Sequence, residues 1–521
     1  MPPPPPDPRR SIRLLGRAGV VLVGIALAAK GLGFVRDAVL AALFGTSRAT
    51  DGFFLVFALW VQVAITMAGS CVQVLVPRWH AAERAGSDAP ARLLGGALLA
   101  FAGVLTALAA LVAIAAEPVV AALAPEFSAA ARVDTARLLR LATPVLPLAG
   151  LSGVLVAVAH ARGHFLYVKA AALGMNVGIL IALLFAPRVG IDAAAAGCTL
   201  GAVLMLAATA LYPARYRIRP RLAGAHVRAG LTILAGVAAL TALGHSGGYL
   251  MQVATRAAWA ALPDGQLTSL AYATRVIGLP VQVIQFAILT TMIAVLSARV
   301  AAGALEEAAE LGRTILRLLL VTLIPITAVV VLLREPIVRL LFERGAFTAE
   351  ATGLTALLLG CLAPSMLAAM VRNVVATTWY ARGVVWLPNA IGVIGVVVFV
   401  VGAAPVAAAA GGWGLALLQG LCSLVTLAVM LLLSPKVVGI SWRGMGPTLL
   451  RVLRASWLGL AFVAAMEYFG ARAAPIGSLD PIVVPVSLLG FGVLALAGAR
   501  RAGLEPELKL LRGVLRRGND G

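Results

Sequence analysis

The feature that most constrains this chain is a series of apolar blocks of about 18–28 residues, each long enough to cross a hydrocarbon layer of about 30 Å as a helix. Within the blocks the apolar residues are continuous rather than alternating in and out, which excludes a membrane β-barrel. With 61% hydrophobic residues, a mean hydropathy of +1.00 and only 12% charged residues, a water-soluble globular enzyme is excluded as well. The reading is an all-α integral membrane protein of about fourteen spans. They are placed at 18–43, 51–77, 93–116, 137–160, 165–186, 191–212, 229–262, 267–297, 311–333, 350–380, 384–403, 411–433, 453–470 and 481–499. The seventh is over-long, and Gly247-Gly248 marks a place for it to break.

The charge balance fixes the expected direction. Lys and Arg number 42 against 21 Asp and Glu, and the net +21 sits in loops rather than in a nucleic-acid-binding patch, so no nucleic-acid partner is expected. With both termini cytoplasmic, about 26 basic residues fall inside and about 8 outside. The strongest inward clusters are Arg215, Arg217, Arg219, Arg221 and Arg228, then Lys436, Arg443, Arg451 and Arg454, then the tail from Arg500 to Arg517. Arg9, Arg10, Arg13 and Arg17 before the apolar run 18–29 imitate a cleaved leader, but apolar character resumes after Lys30 and continues to Leu43. A retained first span is therefore expected, behind a Pro2–Pro6 run that cannot be helical. The tail after Leu504 is read either as a short amphipathic helix on the inner leaflet or as a solvated basic end.

Two stretches about 220 residues apart share their punctuation. Glu117-Pro118-Val119-Val120 matches Glu335-Pro336-Ile337-Val338, and Pro144 stands nineteen residues before Gly163 as Pro364 stands nineteen before Gly383. Both stretches end in Ala-Arg-Gly. A six-span period keeps the same orientation, so the repeat is parallel and predicts two pseudo-symmetric six-helix lobes plus a C-terminal pair. The corresponding divisions are a tail over 1–17, lobes over 18–222 and 223–435, and spans 13–14 with a basic tail over 436–521. Repeats of this kind place a substrate near the axis between rocking bundles.

A charge at mid-membrane costs at least about 2.5–3.5 kcal/mol, so it is expected to face water or a partner. The exceptions to an otherwise apolar interior are Lys30, Arg36 and Asp37 in span one, Asp51 opening span two, Lys169 in span five, Arg256 in span seven, Arg275 in span eight and Arg372 in span ten. Lys30, Arg36 and Asp37 fall broadly towards one side of a helix, Asp37 offsets part of the cationic charge, and Gly31 and Gly33 allow a bend or close approach. The expected result is a cationic cavity whose Arg donors suit bidentate phosphate recognition. Local pairing or snorkelling is the competing explanation, most of all for Lys169, Arg256 and Arg372 nearer span ends. Neither the five histidines nor Cys71, Cys198, Cys361 and Cys422 show metal-ligand spacing, and the cysteines read as small packing residues. No phosphate loop or nucleophile elbow is present, so neither a cofactor nor ATP hydrolysis is expected.

The stretch KGLGFVRDAVLAALFGTSRATDGFF (30–54) resembles the first two helices of the MurJ/MviN lipid II flippases of the multidrug/oligosaccharidyl-lipid/polysaccharide exporter superfamily. LAYATRVIGLPVQVIQFAILTTMIAVLSA (270–298), EPIVRLLFERGAFTAEAT (335–352) and WYARG (379–383) extend the resemblance over nearly the whole chain. It implies fourteen helices in the bacterial inner membrane and a transporter rather than an enzyme. The implied cargo is undecaprenyl-pyrophosphate-linked disaccharide-pentapeptide for peptidoglycan synthesis, with membrane lipids and cell-wall synthesis machinery as further partners. By motif, Arg36, Asp37, Asp51 and Arg275 fall on functionally important positions, Lys30 stands where an arginine is usual, and spans 13–14 correspond to a groove for the polyprenyl tail. The chain departs from the pattern in LWVQVAITMAGS, which lacks the usual basic residues and has Ala68-Gly69 in place of Glu-Gly. Thr274 replaces an acidic residue, and spans seven and eleven contain no interior acid for the sodium site of some relatives. Two alternatives stay open at this stage: export of another polyprenyl-linked glycan or amphipathic molecule, and a transport-inactive cell-wall scaffold.

Overall fold

Apolar sequence punctuated by Gly, Pro and Ser/Thr caps becomes helix after helix in the computed structural model. It describes residues 28–216, 218–244, 246–278, 296, 299, 303–384, 386–438, 445–473 and 480–505, without the side chains of 165–172, 243, 244, 246–249, 305, 366, 381, 445 and 470–473. The first part of the chain runs α1 (28–44), α2 (Arg48–Val56), a π-helical turn (Phe57–Val61), α3 (Gln62–Ala85), α4 (Ala89–Ile114), α5 (Ala116–Leu123), α6 (Ala129–Ala142) and α7 (Val145–Ala161). It continues with α8 (Phe165–Leu183), α9 (Ala186–Val189), α10 (Asp192–Arg215), α11 (Val227–Gly244) and α12 (Ser246–Ala260). After α13 (266–278) come α14 (Leu305–Leu332), α15 (Arg334–Phe342), α16 (Ala349–Ala381), α17 (Trp386–Val437), α18 (Met445–Ala473) and α19 (Asp480–Arg501).

Among the described residues the structure is all-helical, with 10 helical stretches long and apolar enough to cross a membrane. One of them, α17, would be about 78 Å long if straight, far beyond one bilayer crossing. Gly411, at φ 58 and ψ −146, breaks it into two helices. Counting those separately and adding α1, α8 and α13 is compatible with the fourteen spans expected. Within the over-long seventh span, helix is described over Val227–Gly244 (α11) and Ser246–Ala260 (α12), with His245 outside the described residues; Gly247-Gly248, the place expected for a break, are helical. Pro2–Pro6, the N-terminal arginines, most of span eight with Pro280, and the tail from 506 also lie outside them, as does the side chain of Lys169.

Packing divides the chain into two compact units, Val21–Thr268 and the part from Ser269 onward. Small residues let helices approach closely enough for backbone contact, the main source of helix association where water provides no hydrophobic drive. In the first unit Gly174 and Gly178 of α8 meet Gly197 and Gly201 of α10. A Cβ on Gly178 would stand 2.2 Å from the Gly201 nitrogen. Likewise a Cβ on Gly230 of α11 would stand 2.0 Å from the Gly96 oxygen of α4, so α11 belongs to this unit by packing. Cys71, Cys198 and Cys422 are buried and unbridged, and Cys361 is half-buried.

The sequence repeat reappears as repeated local structure within each unit. α4 breaks at Ala115 (φ −88, ψ 18) before α5, and α14 breaks at Leu333 (φ −89, ψ 18) before α15. Then Ser128 caps α6 through the Ala131 amide at 3.2 Å, and Thr348 caps α16 through the Ala351 amide at 3.2 Å. Phe127 and Phe347, each one residue before its cap, are both 2% exposed. Finally Gly163 (φ 76) and Gly383 (φ 79) end α7 and α16 in the same left-handed cap. His164 N donates to the Ala159 oxygen in one (2.9 Å) and Val384 N to the Trp379 oxygen in the other (3.0 Å). Packing draws its division between 268 and 269 rather than at the lobe boundary of 222 expected from the repeat.

Candidate substrate site

Arg36 is 3% exposed on α1 and Asp37 1%, beside an apolar stretch that would not tolerate an unpaired charge. The guanidinium is met from three sides. Its Nε and Nη2 donate to Asp37 Oδ1 at 2.8 and 2.6 Å, its Nη1 donates to Asn176 Oδ1 of α8 at 3.1 Å, and its carbon lies 4.7 Å from the Phe57 ring centre. Asn176 also donates from Nδ2 to the Ala29 oxygen at 3.1 Å, so one amide holds both the backbone of α1 and its arginine. The close approach expected at Gly31-Leu32-Gly33 is realised at Gly33, where a Cβ would lie 3.6 Å from the Asn176 amide. Lys30 is exposed, unlike the buried pair: around the helix it lies about 120° from Arg36 but only about 20° from Asp37, and it stands about 9–10 Å further towards the N-terminus along α1.

Phe57 reaches Arg36 from the π-helical turn Phe57–Val61, whose closing bond runs from Gln62 N to the Phe57 oxygen. Such a turn inserts one residue and swings the helix after it, and it recurs at functional positions. Trp60 pins it by donating from Nε1 to the Ala142 oxygen at 3.1 Å.

Asp51 is 1% exposed in the first turn of α2, and its carboxylate serves the start of α13. Oδ2 accepts from Gly265 N at 2.8 Å; Oδ1 accepts from Thr268 N at 2.8 Å and Thr268 Oγ1 at 2.6 Å. A carboxylate there satisfies orphan amides of a helix N-terminus and complements its dipole. α13 is the helix that carries Arg275. Gly265, at φ 83, packs so near Thr46 that a Cβ would come within 2.9 Å of the threonine side chain. Arg48 holds the same loop, donating from Nε to Asp264 Oδ1 at 2.7 Å and from Nη2 to the Leu262 oxygen at 3.1 Å, with its carbon 4.6 Å from the Phe127 ring centre.

Of the remaining expected residues, Arg256 is half-buried on α12 and Arg275 half-buried on α13. Arg372 is half-buried on α16, in the second unit, and donates from Nη1 to Thr426 Oγ1 of α17 at 3.3 Å. Thus Arg36 and Asp37 come together, and Asp51 joins the loop before α13. Arg372 instead meets Thr426, 54 residues away on α17. Asn176 and Phe57 were absent from the sequence reading, although a lone amide in the apolar run LGMNVGILIALL was a legible signal. Among the described residues no group of three or more His, Cys, Asp or Glu is placed to hold a metal.

A family model described as lipid II flippase MurJ matches residues 40–483. A protein of Rhizobium meliloti (strain 1021), described as "Probable lipid II flippase MurJ", is 29% identical over 349 residues, covering 63% of this chain and 63% of its own. The aligned part therefore spans just under two thirds of that relative. One of Rhizobium tropici with the same description is 25% identical over 382 residues, 70% of each chain. In fold, the chain is similar to a solved lipid II flippase MurJ in an inward closed conformation, with a TM-score of 0.76 at 16% identity over 92% of this chain and 99% of that one. It is also similar to an inward-facing multidrug resistance transporter of the MATE family, with a TM-score of 0.60 at 11% identity over 81% and 98%.

Proposed function

Since the chain belongs to the lipid II flippase MurJ family, we propose that it translocates lipid II, the undecaprenyl-pyrophosphate-linked peptidoglycan precursor, across the bacterial cytoplasmic membrane by alternating access. The observation that carries this reading is Arg36: a guanidinium at membrane depth, held by Asp37, Asn176 and Phe57 instead of snorkelling to a headgroup. A pyrophosphate carries the charge that most opposes crossing, and in this reading Arg36, buried against Asp37 and Asn176 in the structure, exchanges those partners for the pyrophosphate during the cycle. Partial neutralisation by Asp37 keeps the attraction weak enough for release. Arg275 and Arg256 supply further cationic character, Lys30 an exposed ammonium, and Asp51 positions α13. Arg372 acts within the second unit beside Thr426.

In this reading both termini are cytoplasmic, the lobes 18–222 and 223–435 rock against each other, and membrane potential biases the cycle at about 2.3 kcal/mol per charge per 100 mV. α18 and α19 serve the polyprenyl tail. They pack closely enough that a Cβ on Gly498 would lie 2.1 Å from the Ala455 oxygen, while Leu489 and Val493 remain exposed. The test is leaflet-specific labelling of lipid II in cells that depend on this chain alone. Outer-leaflet lipid II that rises with its expression supports the proposal; no rise with normal protein level refutes it.

A further inference from the structure

We infer that one face of α3 is an uncharged hydrogen-bonding track that reads the sugar and peptide part of the substrate headgroup, next to the arginine that takes its pyrophosphate. The inference rests on the flippase reading and names which part of the cargo this helix recognises.

Gln62, Thr66, Gly69 and Gln73 follow one another at steps of four, three and four residues, so at about 100° per residue they lie within a narrow arc of the helix. His80 and Arg84 continue the same line to the far end of α3. The opposite side holds Ala64, Cys71 and Leu75, each buried at 0% exposure. Along the track Gln62 and Thr66 are half-buried and Gly69 and Gln73 exposed, and a Cβ on Gly69 would meet nothing within 4 Å.

This open face does not suit acyl chains. Between residues 48 and 85 no large hydrophobic side chain is exposed, whereas α4 alone exposes Val104, Leu108, Leu111 and Ile114. Primary amides at hydrocarbon depth are costly unless they meet water or a ligand. The π-helical turn joins the track to the arginine. The Gln62 amide closes that turn on the Phe57 oxygen, and Phe57 lies against Arg36, so the first glutamine of the track sits one turn beyond the guanidinium's aromatic neighbour. From Gln62 to Gln73 the helix rises about 16 Å.

The residue types define the chemistry. A primary amide both donates and accepts, matching hydroxyls, acetamido groups and peptide bonds, while offering little to a phosphate that prefers charge-assisted donors. A ligand with a diphosphate at one end and a hydroxyl- and amide-bearing body fits Arg36 and the track together.

The experiment compares two ligands on the purified full-length chain in nanodiscs: lipid II, and undecaprenyl pyrophosphate, which has the same tail and diphosphate but no sugar or peptide. The variant carrying Gln62→Leu and Gln73→Leu is expected to bind lipid II about tenfold more weakly and undecaprenyl pyrophosphate within twofold of the unaltered chain. Gln73→Asn alone should retain most of the lipid II affinity, and Arg36→Ala should weaken both ligands. Unchanged lipid II binding by the double variant overturns the inference, as does a parallel loss of both ligands, which marks a structural role. If the unaltered chain binds neither ligand, the flippase reading itself falls, an outcome distinguishable because it precedes any comparison of variants.

Discussion

At the residue scale, the decisive arrangement is a cation buried beside its own neutraliser. Removing Asp37 leaves Arg36 as an uncompensated buried charge, a change that costs about 3–5 kcal/mol in comparable sites. Asp37→Ala should therefore lower the thermal unfolding midpoint and the level of protein in membranes. Removing Arg36 alone would likewise strand the buried Asp37 carboxylate, so the informative contrast is the double variant Arg36→Ala with Asp37→Ala, which removes both charges. We expect it to abolish rescue of a flippase-depleted strain while protein level holds; full rescue would remove Arg36 from the mechanism. Asn176→Leu deletes one acceptor for Arg36 and one donor to the Ala29 oxygen, and should destabilise by about 1–3 kcal/mol in a detergent melt. Arg36 and Asp37 were legible because ionisable residues are rare in apolar spans. Their partners were not, since Asn176 is 140 residues away and nothing local announces the pairing.

At the element scale, the helices are separated by how near their backbones come. Gly178→Leu would drive a branched side chain into the Gly201 backbone of α10, with no flexible group there to yield. Loss of folded protein is expected, read as disappearance from the membrane fraction. Gly69→Ala, on the open face of α3, should leave protein level unchanged. The repeat was visible in sequence as matched Glu-Pro, proline and Ala-Arg-Gly punctuation, because caps and breaks depend on a few local residues. The π-helical turn was not, since FALWV has the composition of any apolar helix. It persists through tertiary contacts such as Trp60 to the Ala142 oxygen and Phe57 against Arg36.

At the scale of the whole molecule, the proposed orientation rests on the distribution of Lys and Arg. In a variant with its four cysteines replaced, a single cysteine at Arg221 should resist an impermeant maleimide added outside the cell. One at Glu126 should react; the reverse pattern would invert the proposed topology. Length and continuity of the apolar blocks were enough to establish a multi-helix membrane protein, because a backbone in hydrocarbon must satisfy its own hydrogen bonds within each span. The positions of the rare charges followed from the same constraint. What only the tertiary structure decided is which groups those charges meet: Arg36 with Asn176, Asp51 with Gly265 and Thr268, and Arg372 with Thr426. The reason is physical. Insertion cost acts on each residue separately and is written along the chain, whereas pairing depends on helices brought together by packing across long separations in sequence.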